Sequence, residues 1–96
     1  MINKDIRNYI SEQHSKVTLF ENPSYDNSIL GMTEDGRVVY SYDSMITELS
    51  KDENLSVTES IEFINYNTLR CLPYMKEEER PIIVFDTLNI KEYKND

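Results

Sequence analysis

Ninety-six residues with 18 acids, 10 bases and 39% apolar side chains describe one thin-cored domain of formal net charge −8. A lone cysteine, Cys71, cannot staple the chain to itself, which excludes a disulfide-framed secreted scaffold and points to a reducing cytosol. Residues 1–8 lack the apolar run of a signal peptide, and the longest such run, Ile82-Ile83-Val84-Phe85, is far short of the ~20 residues of a membrane span.

In chain order, the spacing of Ile6, Tyr9, Ile10 and Gln13 predicts a first helix over 3–13, with Asn3 as its cap. Val17-Thr18-Leu19-Phe20 reads as a short strand, rich in β-formers. Residues 21–27, broken by Asn22-Pro23, read as a loop. Residues 28–33 and 37–42 form the arms of a hairpin closed by Glu34-Asp35-Gly36. Asp-Gly is the strongest short-range hairpin signal, and the alternation puts Val38, Tyr40 and Tyr42 on one face. Asp43 is placed to cap a short second helix that buries Met45, Ile46 and Leu49.

After the polar break 51–54, Ser56 and Glu59 match a capping box. The third helix should then run to about Cys71 along Val57, Ile61, Ile64, Thr68 and Leu72, widened by Leu69 and stopped by Pro73. Residues 75–80 are a charged loop. Pro81 opens a last strand over 82–85, whose unbroken apolar run suggests burial on both faces or at a sheet centre. A polar tail follows from about 88. The order is α-β-β-β-α-α-β: a single α+β domain over 1–96, mainly antiparallel in its sheet, with helices packed on it.

The net charge is unevenly placed. Residues 21–62 hold ten acids against Arg37 and Lys51, while the rest of the chain sums to zero. Phosphate neutralisation needs clustered Lys and Arg, so direct nucleic-acid binding is disfavoured, as is an anionic membrane. A basic protein surface is the favoured partner, because opposite potentials steer encounter.

Catalytic chemistry finds little footing. The adjacent carboxylates Glu34/Asp35 and Asp52/Glu53 lie on turns and breaks with nothing apolar to raise a pKa. Cys71 is expected as a packed core cysteine, and His14 as a residue serving a helix end. One Cys and one His cannot make a structural zinc site, and no calcium loop or glycine-rich phosphate loop occurs, so no cofactor or metal is expected.

Two features remain. The acids Glu34, Asp35, Asp43, Glu48, Asp52, Glu53, Glu59 and Glu62 form a belt that is either a solubilising surface or a mimic of the regular charge of nucleic acid. On the third helix, Phe63, Tyr66 and Arg70 follow i, i+3, i+7 off the main apolar line. They are either the second face of a sandwiched helix or an aromatic-and-arginine anchor for a partner.

Three stretches together carry a resemblance. They are Ser28–Gly31 with Asp35–Tyr42, Ile61–Tyr74 with its Tyr-Asn-Thr-Leu-Arg-x-Leu-Pro-Tyr run, and Pro81–Phe85. Over roughly residues 17–86 the chain resembles a group of small proteins carried by Gram-positive bacteria and their phages and mobile elements. The resemblance implies no activity and no catalytic residue. It implies an origin in mobile DNA, where small acidic proteins include inhibitors of host defence nucleases, anti-CRISPR proteins among them. The expectation is a non-enzymatic inhibitor in the bacterial cytoplasm. It would offer its acids to the basic channel of a CRISPR effector nuclease and block guide RNA or target DNA. The rival expectation is a structural or regulatory interaction module, such as a homodimer paired through a strand edge.

Overall fold

The computed structural model describes residues 2–14 and 16–86; the polar tail lies outside the described residues. Helix α1 spans Ile2–Gln13, strand β1 Ile29–Met32, strand β2 Val38–Ser41, helix α2 Tyr42–Glu53, helix α3 Val57–Phe63 and strand β3 Ile82–Val84. The α+β class and the approximate element order agree with the sequence reading. The three strands form one mixed sheet in the order β1-β2-β3.

The β1–β2 hairpin forms where Asp-Gly places it. Thr33 N donates to Arg37 O at 2.7 Å, Gly36 N to Thr33 O at 3.1 Å, and Arg37 N to Thr33 Oγ1 at 2.9 Å. Gly36 has φ +92°, and a Cβ there would come 3.0 Å from His14 Nδ1. Gly36→Ala is therefore expected to cost about 1–3 kcal/mol, from the left-handed backbone and from displacing the imidazole. Urea unfolding of the variant measures it. The pairing slips between Ile29 and Gly31, so Leu30 is a bulge residue and is exposed.

Strand β2 is the sheet centre. Val38, Tyr40 and the helix-leading Tyr42 bury on one face, as the alternation predicts, and Met45, Leu49 and Ile64 close over them. β3 pairs parallel to β2, Val39 with Ile82 and Ser41 with Val84. Two helices lie between these strands, and a return over helices brings a strand back in the same direction. The apolar run 82–85 is thus an edge with Val84 exposed, not a strand buried on both faces.

Four further expectations are corrected. Val17–Phe20 is a loop outside the sheet: its β-formers fit a half-buried surface, which a loop pressed on the core also supplies. The backbone of Phe20 is satisfied by side chains instead, its N–H donating to Tyr40 Oη at 3.2 Å and its carbonyl accepting from Arg7 Nη2 at 2.7 Å. The expected cap position, Asn3, falls inside α1, which begins at Ile2, and its side chain lies outside the described residues; within that helix Ile10 is buried while Tyr9 is exposed.

At α2 the cap is Ser41, not Asp43. Ser41 Oγ accepts from Ser44 N at 3.1 Å and donates to Asp86 Oδ2 at 2.6 Å, and Asp86 Oδ1 accepts from Asp43 N at 3.1 Å. A carboxylate at the end of β3 therefore sits on the positive end of α2. Finally, the third helix is not a single α-helix. After α3 the chain widens into a π segment, Ile64–Thr68, and tightens into a 3-10 run, Leu69–Tyr74, which holds Pro73 inside it. The re-phasing leaves Cys71 exposed rather than packed in the core; its Sγ donates to the carbonyl of Asn67 at 3.2 Å.

The capping box at the start of α3 forms as expected. Glu59 N donates to Ser56 Oγ at 3.1 Å and Ser56 N to Glu59 Oε1 at 2.9 Å. Asn54 ends α2 in the left-handed conformation, φ 56°, its N–H closing on Ser50 O.

Candidate interaction surface

Each acid of the belt is placed by a local element. Glu34 and Asp35 ride on the hairpin turn. Asp43 is in the first turn of α2, Glu48 in its middle, and Asp52 and Glu53 at its end. Glu59 and Glu62 lie on α3. All but Glu48 are exposed. The Thr33 hydroxyl donates to Asp35 and holds that carboxyl below the usual carboxylate range.

Glu48 is different: it is half-buried and accepts from Ser28 Oγ at 2.9 Å. Burial raises its pKa above the ordinary value; the Ser28 and Asn27 hydrogen bonds oppose this, and Asp52 and Asp26 add to it. A carboxyl raised on folding holds its proton more tightly in the native state, so its contribution is present below the unfolded pKa and lost as pH rises through the folded one. Glu48→Gln should therefore gain stability relative to the parent as pH climbs from about 4 toward neutrality. A stability difference that stays constant across denaturation curves at several pH values would refute this.

Three of the arginines are engaged internally, whereas Lys16, Lys51, Arg70 and Lys76 are exposed. Arg7 grips Asp26 with two hydrogen bonds, Nε to Oδ2 at 2.9 Å and Nη2 to Oδ1 at 2.8 Å, and reaches Glu21 at 3.3 Å. Arg37 Nε donates to Arg80 O at 2.9 Å, and Arg80 Nη2 to Met75 O at 3.2 Å. Among the described residues, Glu34, Asp35, Asp43, Asp52, Glu53, Glu59 and Glu62 form no ion pair.

The structure brings some expected residues together and separates others. Glu48 and Asp52 share a shallow depression of about 290 Å³ on α2 with Asn27, Ser44, Thr47 and Lys51. Asp35 lines a different one, about 330 Å³, beside His14, Lys16, Glu78 and Glu79. Glu78 and Glu79 were outside the expected belt, and only the return of their loop to the hairpin brings them to it. Of the aromatic stripe, Phe63 is half-buried against the core, whereas Tyr66 is 67% exposed. The Arg70 guanidinium sits over the Tyr66 ring, 5.7 Å from its centroid. Arg7, absent from the sequence-level candidates, is the cation that organises the α1 side.

Among the described residues no group of three His, Cys, Asp or Glu is placed to hold a metal ion, and no helix is long and apolar enough to cross a membrane. Comparison with protein-family models, with curated proteins and with solved structures found no match.

Proposed function

We propose that the protein is a non-enzymatic binding protein that presents its acids to a basic protein surface. The class of partner is a nucleic-acid-binding defence enzyme, with a CRISPR effector nuclease in the bacterial cytoplasm as the specific case. It would occupy the channel that guide RNA or target DNA needs. One observation carries the reading: the arginines Arg7, Arg37 and Arg80 turn inward onto Asp26 and backbone carbonyls, while, among the described residues, seven belt acids stay exposed and form no ion pair. Uncompensated negative charge at the surface is complementary to the positive potential of a phosphate-binding channel. The resemblance to proteins of mobile elements supports the same partner class.

The test is triple reversal of Asp35, Asp52 and Glu53 to Lys, which moves the net charge from −8 to −2. Glu59 is left intact because it caps α3. Reversals at Asp52 and Glu53 change stability by about 0.5 kcal/mol or less each, whereas Asp35→Lys also loses the Thr33 hydrogen bond of the hairpin turn, so a thermal melt confirms that the variant is folded. The parent should inhibit RNA-guided DNA cleavage in a panel of effector nucleases and compete with guide RNA, more weakly as salt rises. The triple variant should not. A folded variant that inhibits as well as the parent, or a parent inert against the whole panel, overturns the reading.

A further inference from the structure

We propose that the stripe Glu62, Tyr66 and Arg70 is a self-complementary docking face, which pairs in antiparallel fashion with the same stripe of a second copy of this chain. The three side chains are exposed and lie on one continuous helical run, α3 followed by the π and 3-10 segments. Glu62 and Arg70 each stand four residues from Tyr66, about 6 Å of helix rise on either side. The contact of Arg70 with the Tyr66 ring shows that the π and 3-10 segments keep these two on the same face. Among the described residues neither Glu62 nor Arg70 has an ion-pair partner, although the chain is rich in acids that could meet an arginine.

The order along the stripe is acid, aromatic, cation. A two-fold axis through Tyr66 sets Arg70 of each copy against Glu62 of the other, with the two Tyr66 rings meeting at the axis. This is an isologous contact, in which one patch serves both subunits. The parallel alternative would oppose Glu62 to Glu62 and Arg70 to Arg70, so charge alone selects the orientation. The groove of about 320 Å³ between α1 and β1, beside Tyr9, lacks this complement: it is lined by apolar residues with Gln13 and His14 and no acid–base pair.

One helix face covers less than the roughly 800 Å² per partner of a stable interface, so self-association is expected in the micromolar range or weaker. This face would leave the acids of the hairpin and α2 open, and the proposal stands independently of the acidic-surface reading.

Sedimentation equilibrium of the full chain from roughly 10 μM to 1 mM tests it. The apparent mass should rise from 11.4 kDa toward twice that value. Arg70→Glu and Glu62→Arg should each weaken association by about tenfold or more, by opposing like charges twice across the axis. An equimolar mixture of the two variants should recover the dimer, since every pair across the axis is again of opposite sign. Tyr66→Ala should weaken association without rescue by either partner variant. Thermal melts at dilute concentration control for folding, because all three side chains are exposed. A parent that stays monomeric across the range overturns the proposal. So does a dimer indifferent to both reversals, or a mixture that fails to recover.

Discussion

Tyr40→Ala should cost about 4 kcal/mol, close to half the stability of an ordinary domain of this length. The residue is fully buried at the sheet centre, and its ring packs 4.8 Å from that of Phe20. Its hydroxyl is also the acceptor for the Phe20 N–H, so one side chain supplies both packing and the hydrogen bond that a sheet ladder would otherwise give. Tyr40→Phe separates the two: the ring stays, and the loss should be about 1–2 kcal/mol, the cost of a buried donor left unpaired. Urea denaturation of both variants measures the split.

The same hydroxyl sets an alkaline limit. Burial pushes its pKa up to about 12, with the Phe20 hydrogen bond opposing the rise. The neutral phenol is thus favoured in the native state, and its stabilisation is present below pH 10 and lost as pH rises through 12. At about 1.4 kcal/mol per pH unit, the loss approaches 2–3 kcal/mol. Tyr40→Phe should flatten stability across that window. Tyr25 and Tyr42, whose phenols are also raised by burial, should leave a smaller slope behind. An unchanged alkaline slope in the Phe variant would assign the effect elsewhere.

Arg7→Ala is the second large effect, expected at about 3 kcal/mol. The guanidinium and the Asp26 carboxylate have side-chain exposures of only 24% and 11%, and removing the cation strands a largely desolvated anion. It also leaves the Phe20 carbonyl without its donor. Arg7→Lys should recover only part of the loss, because an ammonium cannot make the two-pronged contact with Asp26 and still reach Phe20. Removing both charges, Arg7→Met with Asp26→Leu, should cost less than Arg7→Ala alone. If the double variant is the least stable of the set, the ion pair is a net stabiliser in its own right and the desolvation argument fails. Melting curves at neutral pH decide between them.

Both experiments probe the segment that the sequence misrepresents. Val17–Phe20 has the composition of a strand, yet its backbone is held by the side chains of Tyr40 and Arg7, residues 20 and 13 positions away from Phe20. Composition cannot distinguish a ladder from such side-chain anchoring, because both want β-branched and aromatic residues on a half-buried surface. The cap of α2 is a similar case. Asp43 stands where a cap is expected, but Asp86 arrives from 43 residues downstream and engages Ser41 and the Asp43 amide. The candidate surface divides along the same line. That most belt acids are exposed follows from their type and from their places on the hairpin turn or off the apolar lines of α2 and α3. That Glu48 is half-buried against Ser28, and that Asp35 shares its surroundings with Glu78 and Glu79, depends on which loops return to which helix.

What the sequence by itself determined is local. The Asp35-Gly36 turn and the Ser56–Glu59 capping box each close within a few residues, so the chemistry of those residues suffices, and the helical spacing on α2 marks Met45 and Leu49, which are buried, and Ile46, which is only partly so. The concentration of negative charge in residues 21–62 is likewise a property of the chain alone. Only the tertiary structure decided the parallel return of β3, the change from α to π to 3-10 that exposes Cys71, and the pairing of Arg7 with Asp26. The β3 pairing and the Arg7–Asp26 contact each satisfy a backbone or charged group with a partner distant in sequence. Burial makes such partners obligatory, but nothing in the local pattern names them.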